Sequence, residues 1–150
     1  MKSFLYLLMN IWPPLFGAGI RVRRIDSDYS AIKVEMRLRF WNRNYVGTHF
    51  GGSLYAMTDP FYMLMLIERL GPGYIVWDKA ASIYFKKPGR GKVSAEFRLS
   101  HEQVAAIKEA ADTSKKTEPK FLVQVVDSTG ETIAEVEKTL YVRRKDQISR

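Results

Sequence analysis

The stretch Asn42–Leu70, NRNYVGTHFGGSLYAMTDPFYMLMLIERL, joins a polar loop that contains glycines to a long apolar segment. The apolar segment begins at about Gly51 and ends at Leu70, because Gly71-Pro72-Gly73 is a helix stop signal. Apolar side chains leave this segment no wide polar stripe, which is typical of a helix buried on most of its sides. We therefore expect one long central helix around which the remainder of the chain folds.

One acid, Asp59, lies inside this apolar helix, immediately before Pro60. Ionised carboxylates are almost never fully buried without a partner, so Asp59 must be desolvated, hydrogen-bonded or used in chemistry. Because Pro60 cannot donate a hydrogen bond to the carbonyl of Ala56, the helix is expected to be kinked or loosened beside the acid. Asp59 is therefore a candidate catalytic residue, and an aspartate that only bonds a neighbouring group is the alternative.

Gly51 and Gly52 stand at the start of the helix, where backbone N–H groups lack an intrahelical acceptor. Glycine allows a ligand close approach, and such paired donors can stabilise a tetrahedral oxyanion, although glycines that only permit a tight turn are the alternative. Gly51 and Asp59 are separated by roughly 12 Å along an α-helix, so one acyl carbon cannot contact both. A shared reaction centre therefore requires two subunits related by a two-fold axis.

Alternation of apolar and polar residues predicts an antiparallel sheet in the rest of the chain. The predicted strands are residues 17–26, 32–40, 74–87, 92–99, 121–126 and 131–143. We expect the third and fourth strands to form one hairpin and the last two strands to form another.

Two further helices complete the predicted fold. A short N-terminal helix within residues 1–16 is ended by Pro13-Pro14, and Ser100 with Gln103 indicates the N-cap of a second helix. The expected fold is a single α+β domain over residues 1–150, in which a curved antiparallel sheet wraps the central helix, with a frayed tail at 144–150.

Composition restricts the chemistry and the partners. The absence of cysteine excludes disulfides, thiolate nucleophiles and cysteine-ligated zinc, and two histidines argue against a metal centre. The formal net charge of +8 favours anionic partners, namely nucleic acid, an anionic membrane surface or a phosphate-bearing metabolite, unless the basic surface serves only solubility. Scattered tryptophans argue against nucleic acid as the partner.

No uninterrupted apolar run reaches about 20 residues, so we expect no membrane insertion and a cytoplasmic protein.

Polar residues around the central helix supply the other site candidates. Asn44 and Thr48 can orient a water or cap the helix, and His49 can act as a base or as a structural hydrogen-bonding group. Basic residues around the next glycine-rich turn can hold phosphates or form a solvated hairpin; they are Lys86, Lys87, Arg90 and Lys92. Lys138 interrupts an apolar row in the last strand, and the sequence offers no account of it.

These residues resemble the hotdog-fold thioesterase superfamily, and the resemblance covers about residues 20–143. Its phenylacetate-type acyl-CoA thioesterases carry His-Gly-Gly at the helix start and an acid seven residues after the second glycine. Phe50-Gly51-Gly52 and Asp59 have that spacing, and residues 82–91, SIYFKKPGRG, are similar to the strand and turn that follow. Phe50 occupies the position of the family's histidine, and His49 precedes it by one residue.

A bacterial hotdog group labelled tetrameric acyl-CoA thioesterase is more similar still. The matching residues are Asn42-x-Asn44-x-x-Gly47-Thr48-His49-Phe50-Gly51-Gly52 and Thr58-Asp59-Pro60. The resemblance implies a homodimer, or a dimer of dimers, that hydrolyses acyl-CoA, with coenzyme A as part of the substrate and no other cofactor. The Gly51 N–H would polarise the thioester carbonyl, and Asp59 of the partner subunit would be general base or nucleophile. Thr48, Thr58 and the basic turn would contact substrate.

Two alternatives stay open at this point. A hotdog protein that binds or senses acyl-CoA without turnover would keep the same pocket. A hotdog dehydratase or hydratase is the lower-ranked alternative, because His49-Phe50 followed by glycine resembles the dehydratase His-Phe-x-Gly pattern, whereas the acid there is a glutamate at another spacing.

Overall fold

The structure is a computed structural model that describes residues 2–147. Its helices are α1 (Lys2–Ile11), α2 (Pro13–Phe16), α3 (Gly51–Ala56), α4 (Phe61–Leu70) and α5 (His101–Thr113). Its strands are β1 (Ile20–Ile25), β2 (Ala31–Arg37), β3 (Tyr74–Phe85), β4 (Lys92–Arg98), β5 (Lys120–Asp127) and β6 (Thr132–Arg144). The strands form one antiparallel sheet in the order β1-β2-β4-β5-β6-β3, which confirms the predicted α+β class.

The predicted central helix is present, and the break at Pro60 divides it into α3 and α4. Residues 57–60 form turns in which the N–H of Thr58 bonds to the carbonyl of Tyr55 and the N–H of Asp59 bonds to the carbonyl of Ala56. Pro60 has no N–H to continue the ladder, so the chain leaves the helix for one turn and resumes it at Phe61. Leu54, Met65 and Leu66 belong to the buried core that both helices share with the sheet.

The predicted hairpin between the third and fourth strands is wrong. β4 lies between β2 and β5, whereas β3 pairs with β6 at the far edge of the sheet. The pairing of β4 with β2 places apolar residues opposite one another, as in Ile32 opposite Phe97 and Val34 opposite Ala95. This alignment of two buried faces decides the partner of β4, and the short connection after β3 crosses between the two halves of the sheet. The second predicted hairpin, β5 with β6, is confirmed.

The two edges of the sheet differ. α1 covers the β1 edge, where the Asn10 side chain accepts a hydrogen bond from the Val22 N–H and donates one to the Val22 carbonyl, at 3.0 and 3.1 Å. No strand among residues 2–147 pairs with the outer edge of β3, whose exposed central residues are small: Ala80, Ala81 and Ser82. An exposed edge of this length is open to pairing with another strand.

The other predicted ends of helices and strands lie mostly close to those in the structure. α1 ends before the two prolines as expected, but Pro13 then begins α2. Ser100 and Gln103 form the predicted capping box at the start of α5. The predicted tail is ordered over 144–147, as the end of β6 and a 3₁₀ turn, and 148–150 lie outside the described residues. Among the described residues, no helix is long and apolar enough to cross a membrane.

Candidate functional site

A cleft of about 510 Å³ opens at the start of α3, and we call it the glycine cleft. It brings together most of the predicted site residues that precede α3 or follow β3. The residues that line it include Asn44, Thr48, His49, Gly51, Phe85, Lys86, Lys87 and Arg90. Lys92 is not among the lining residues, because its side chain points to Glu35, 3.6 Å away.

The N–H groups of Gly51 and Gly52 stand at the first turn of α3. Neither group donates a backbone hydrogen bond within residues 2–147, and the first bonds of the helix come from Ser53 and Leu54 to the carbonyl of Phe50. A Cβ on Gly51 would lie 3.0 Å from the Phe85 ring, so glycine allows that ring to pack on the backbone. The Gly51 N–H is therefore an unpaired donor at the wall of the glycine cleft.

Asn44 organises the loop before α3. Its Oδ1 accepts hydrogen bonds from the N–H groups of Val46 and Thr48, and its Nδ2 donates to the Thr48 hydroxyl at 2.9 Å. The alternative in which Thr48 caps the helix is wrong, because the N-cap residue is Phe50 and no side chain within residues 2–147 caps α3. The Thr48 hydroxyl is instead used inside this loop.

His49 fastens the glycine-rich turn to the loop. Its Nε2 lies 2.9 Å from the carbonyl of Gly91, and since a carbonyl only accepts, Nε2 carries the proton. The His49 N–H also donates to the carbonyl of Gly89 at 3.0 Å. Burial lowers the pKa of the imidazole, and the Gly91 bond offsets this only in part, so the ring is neutral at pH 7. Nδ1 is buried and has no partner within the described residues.

His49 is expected to cause part of the acid sensitivity of the fold. Between the lowered folded pKa and the ordinary value of 6.5, the unfolded chain binds more protons than the folded chain, so stability falls as pH drops below about 6.5. His49→Gln retains a donor for the Gly91 carbonyl and does not titrate. Urea unfolding at pH 7 and pH 5 should show a smaller acid loss for this variant, and an equal loss in both proteins would contradict the assignment.

Asp59 lies away from the glycine cleft, beside a groove of about 470 Å³ that we call the aspartate groove. Tyr55 and Asp78 line this groove together with Ala80, Ala81 and Ile83. The Tyr55 hydroxyl donates to Asp59 Oδ1 at 2.9 Å. Within one protomer, Gly51 lines the glycine cleft and Asp59 does not.

Lys138, which the sequence left unexplained, is the buried partner of Asp59. Its side chain is 0% exposed, and its Nζ lies 3.1 Å from Asp59 Oδ1, 2.9 Å from the Asp59 carbonyl and 3.0 Å from Asp78 Oδ1. The two Asp59 oxygens accept hydrogen bonds from the ammonium group, the Tyr55 hydroxyl lies 3.4 Å from it, and Asp78 is an ion-pair contact. The carbonyl of Asp59 is available because the helix is interrupted at Pro60, so Lys138 also stabilises the break between α3 and α4.

Burial and charge act in opposite directions in this cluster. Burial by itself lowers the pKa of Lys138, but the carboxylates of Asp78 and Asp59 beside the ammonium group outweigh it and raise that pKa. Burial raises the pKa of Asp78, which Lys138 offsets only in part. The contact with Asp78 is an ion pair without hydrogen-bond geometry, since Asp78 Oδ1 has no hydrogen-bond partner within residues 2–147. Lys138 therefore stays charged at neutral pH.

Asp59 keeps one free carboxylate oxygen. Tyr55 and Lys138 both contact Oδ1, whereas Oδ2 has no hydrogen-bond or ion-pair partner in the described part of the chain. The side chain is 48% exposed, and its partner Tyr55 lines the aspartate groove. A carboxylate held by one oxygen and free at the other can accept a proton or attack an electrophile.

The structure brings together only part of the predicted site. Thr58 is fully buried, and its hydroxyl donates to the carbonyl of Tyr55, so it lines neither cleft. Tyr55, Asp78 and Lys138 were absent from the predicted site. A lysine in an apolar row of a strand is a recognisable sign of a buried ion pair, but the sequence does not say which acids meet it.

Comparisons with known proteins bear on the family and on the fold. A family profile described as "Domain of unknown function (DUF4442)" matches residues 1–142. No curated protein matches the chain. Among solved structures, a Pseudomonas aeruginosa protein of unknown function is 20% identical with a TM-score of 0.84, with 96% of each chain covered.

Two further solved structures are similar over most of their length. A thioesterase from Haemophilus influenzae is 15% identical with a TM-score of 0.70, covering 100% of this chain and 94% of the other. The Escherichia coli PaaI protein, from the phenylacetic acid degradation operon, is 16% identical with a TM-score of 0.66, covering 95% and 91%. At these identities the likeness concerns the fold, and it confirms the predicted hotdog fold.

Proposed function

This chain belongs to the DUF4442 family, and we propose that it hydrolyses an acyl-CoA thioester. The observation that carries the proposal is the half-exposed Asp59 carboxylate, which Lys138 and Tyr55 hold at Oδ1 while Oδ2 has no partner within residues 2–147. The unpaired N–H of Gly51, which packs against Phe85 at the end of β3, supplies the complementary hydrogen-bond donor. The Haemophilus influenzae neighbour, which is a thioesterase, supports the class of reaction.

A homodimer through β3 would join the two clefts into one site. Phe85, which packs on Gly51, and Asp78, which lies beside Asp59, are at different positions along this strand. A two-fold axis through residues 80–82 would pair two β3 strands in antiparallel fashion and place Phe85 of one copy beside Asp78 of the other. The small side chains at 80–82 leave room for strands that approach to about 4.8 Å. A dimer of dimers would repeat this unit.

The reaction then has two routes that use the same residues. The thioester oxygen accepts a hydrogen bond from the Gly51 N–H of one subunit. In the first route, Asp59 of the other subunit takes a proton from water, the water oxygen attacks the carbonyl carbon, and the C–S bond breaks as the sulfur receives the proton. In the second route, Asp59 Oδ2 attacks the carbonyl carbon, CoA thiolate leaves, and water hydrolyses the mixed anhydride.

Coenzyme A would follow the glycine cleft outward. Lys86, Lys87 and Arg90 line it, and their charges suit the phosphates of the nucleotide, although Lys87 also pairs with Glu131. Asn44, Thr48 and His49 shape the wall through hydrogen bonds within the loop. The proposal requires no cofactor besides the CoA of the substrate.

The experiment is hydrolysis of acyl-CoAs of graded chain length by the purified protein, with release of the free thiol as the readout. We expect turnover of at least one thioester. A protein that binds acyl-CoA without turnover is the second candidate, because Lys138 already neutralises much of the charge of Asp59. CoA binding without thiol release would overturn the hydrolase and favour this second candidate.

The β3 dimer gives a separate prediction. Ala81→Arg places two like charges at the centre of the proposed contact, so we expect the variant to be monomeric. Light scattering after gel filtration measures the mass, and Ala106→Arg on the exposed face of α5 is the matched control. An unchanged mass for Ala81→Arg would exclude this interface.

A further inference from the structure

The outward face of α1 and α2 is apolar and exposed. Apolar side chains recur at positions i, i+3, i+4, i+7 and i+8 of α1 and the residue after it, the spacing of one helical face. These exposed residues are Phe4, Leu7, Leu8, Ile11 and Trp12, and Phe16 of α2 continues them. The opposite face packs into the core through Met9 and Leu15. The helix is thus apolar on both sides, and only one of them is covered within the described chain.

A loop beside α2 adds two aromatic rings to this exposed surface. Phe40 and Trp41 contact each other edge to face at 5.1 Å and are exposed, Phe40 to 79%. This corrects the prediction that the second strand continues to Phe40, because β2 ends at Arg37. Asn42 donates to the carbonyls of Ala18 and Arg37, which ties the loop to the end of α2. We call the two parts together the aromatic face.

Basic residues surround the aromatic face. Residues 1–25 and 36–58 contain seven Lys or Arg and no Asp or Glu. The net charge of the whole chain is +8, so the excess of basic residues is concentrated in these two segments. A cavity of about 310 Å³ places Trp41 among four arginines, and the one acid there, Glu35, pairs with Arg23 and Lys92. The arginines are Arg21, Arg23, Arg37 and Arg39. Arg37 and Arg39 have no ion-pair partner within residues 2–147.

We infer that the aromatic face docks the protein on an anionic phospholipid bilayer. At ten residues, α1 is about 15 Å long, half of what a bilayer-spanning helix needs, so it would lie in the interface with its apolar face among the lipids. Tryptophan side chains such as those of Trp12 and Trp41 favour that depth, and the arginines meet the phosphate headgroups. A second copy on the same face is disfavoured, because a two-fold contact would oppose the arginines of both copies.

The test is co-sedimentation of the full chain with vesicles of equal parts phosphatidylcholine and phosphatidylglycerol. We expect the unmodified protein to bind these vesicles and to bind pure phosphatidylcholine vesicles on the order of tenfold more weakly. Leu7→Glu with Ile11→Glu should lower the partition coefficient by at least about tenfold, since charge replaces buried apolar surface. Both sites are exposed, so folding should be unaffected; Leu122→Glu, an equally exposed leucine on β5, is the control.

The arginines form the second arm of the test. Arg37→Gln with Arg39→Gln should weaken binding on the order of tenfold, whereas Lys115→Gln with Lys120→Gln, which removes the same charge elsewhere, should have little effect. No binding to anionic vesicles, or equal losses in test and control variants, overturns the inference. A lower assembly mass for Leu7→Glu with Ile11→Glu would show that a second copy covers this face and would also overturn it. None of these three results bears on the proposed hydrolysis.

Discussion

Asp59→Asn is expected to lower kcat/KM for acyl-CoA hydrolysis by about a hundredfold to ten-thousandfold, which is the range for loss of a general base. The amide keeps the shape of the side chain and can still accept from Tyr55 and Lys138, so the loss would reflect chemistry at Oδ2 rather than unfolding. Thiol release by both proteins, with circular dichroism to verify the fold, measures the effect. Asp26→Asn, a surface acid paired with Arg24, is the control. Equal rates in the wild type and Asp59→Asn would remove Asp59 from the mechanism.

Mixed oligomers test whether the site spans two subunits. Gly51→Val should be inactive, because its side chain would meet the Phe85 ring. Co-expressed in equal amounts with Asp59→Asn, it should form heterodimers in which one site carries both substitutions and the other carries neither. Each heterodimer then has about half of the wild-type activity, and a random mixture, half of it heterodimers, has about a quarter. No return of activity in verified heterodimers would place Gly51 and Asp59 in the same subunit's site or outside any site.

Lys138→Met is expected to lower the free energy of unfolding by about 3 kcal/mol at pH 7, the low end for breaking a buried ion pair because Asp59 is half exposed. Methionine fills the volume, but Asp78 and Asp59 then face each other without a cation. This loss of stability should grow as the pH rises. Burial already raises the pKa of Asp78 above 3.8, so between 3.8 and the folded pKa the unfolded chain binds fewer protons than the folded chain. The free energy of unfolding therefore falls as Asp78 ionises. Urea unfolding of both proteins across pH 4–8 measures the difference in the free energy of unfolding.

A double variant separates the structural role of Lys138 from its effect on Asp59. Adding Asp78→Leu to Lys138→Met removes the second partly buried charge, so most of the lost stability should return. Hydrolysis should stay low, because Asp59 Oδ1 is still without its ammonium partner and the carboxylate is no longer oriented. Recovery of activity together with stability would mean that Lys138 serves the fold alone.

The local sequence was sufficient to predict the elements around the site. Gly51, Asp59 and Pro60 mark a helix start, an acid and a break through local backbone chemistry, and the structure has all three where the spacing placed them. The capping box at Ser100 was predictable for the same reason. Strand pairing was not, since β4 takes β2 as its neighbour through the match of two buried faces that lie far apart in the chain.

By itself, the sequence determined the α+β class, the central helix with its interruption, and the separation of Gly51 from Asp59, because each depends on residues within a few turns of one another. Only the tertiary structure decided that Lys138 lies beneath Asp59 with Asp78, since the pairing of β3 with β6 brings residues from three elements to one point. Among the described residues, the same packing left one edge of β3 unpaired and one face of α1 uncovered. Burial, charge pairing and exposed edges depend on how elements pack, so no local pattern could supply them.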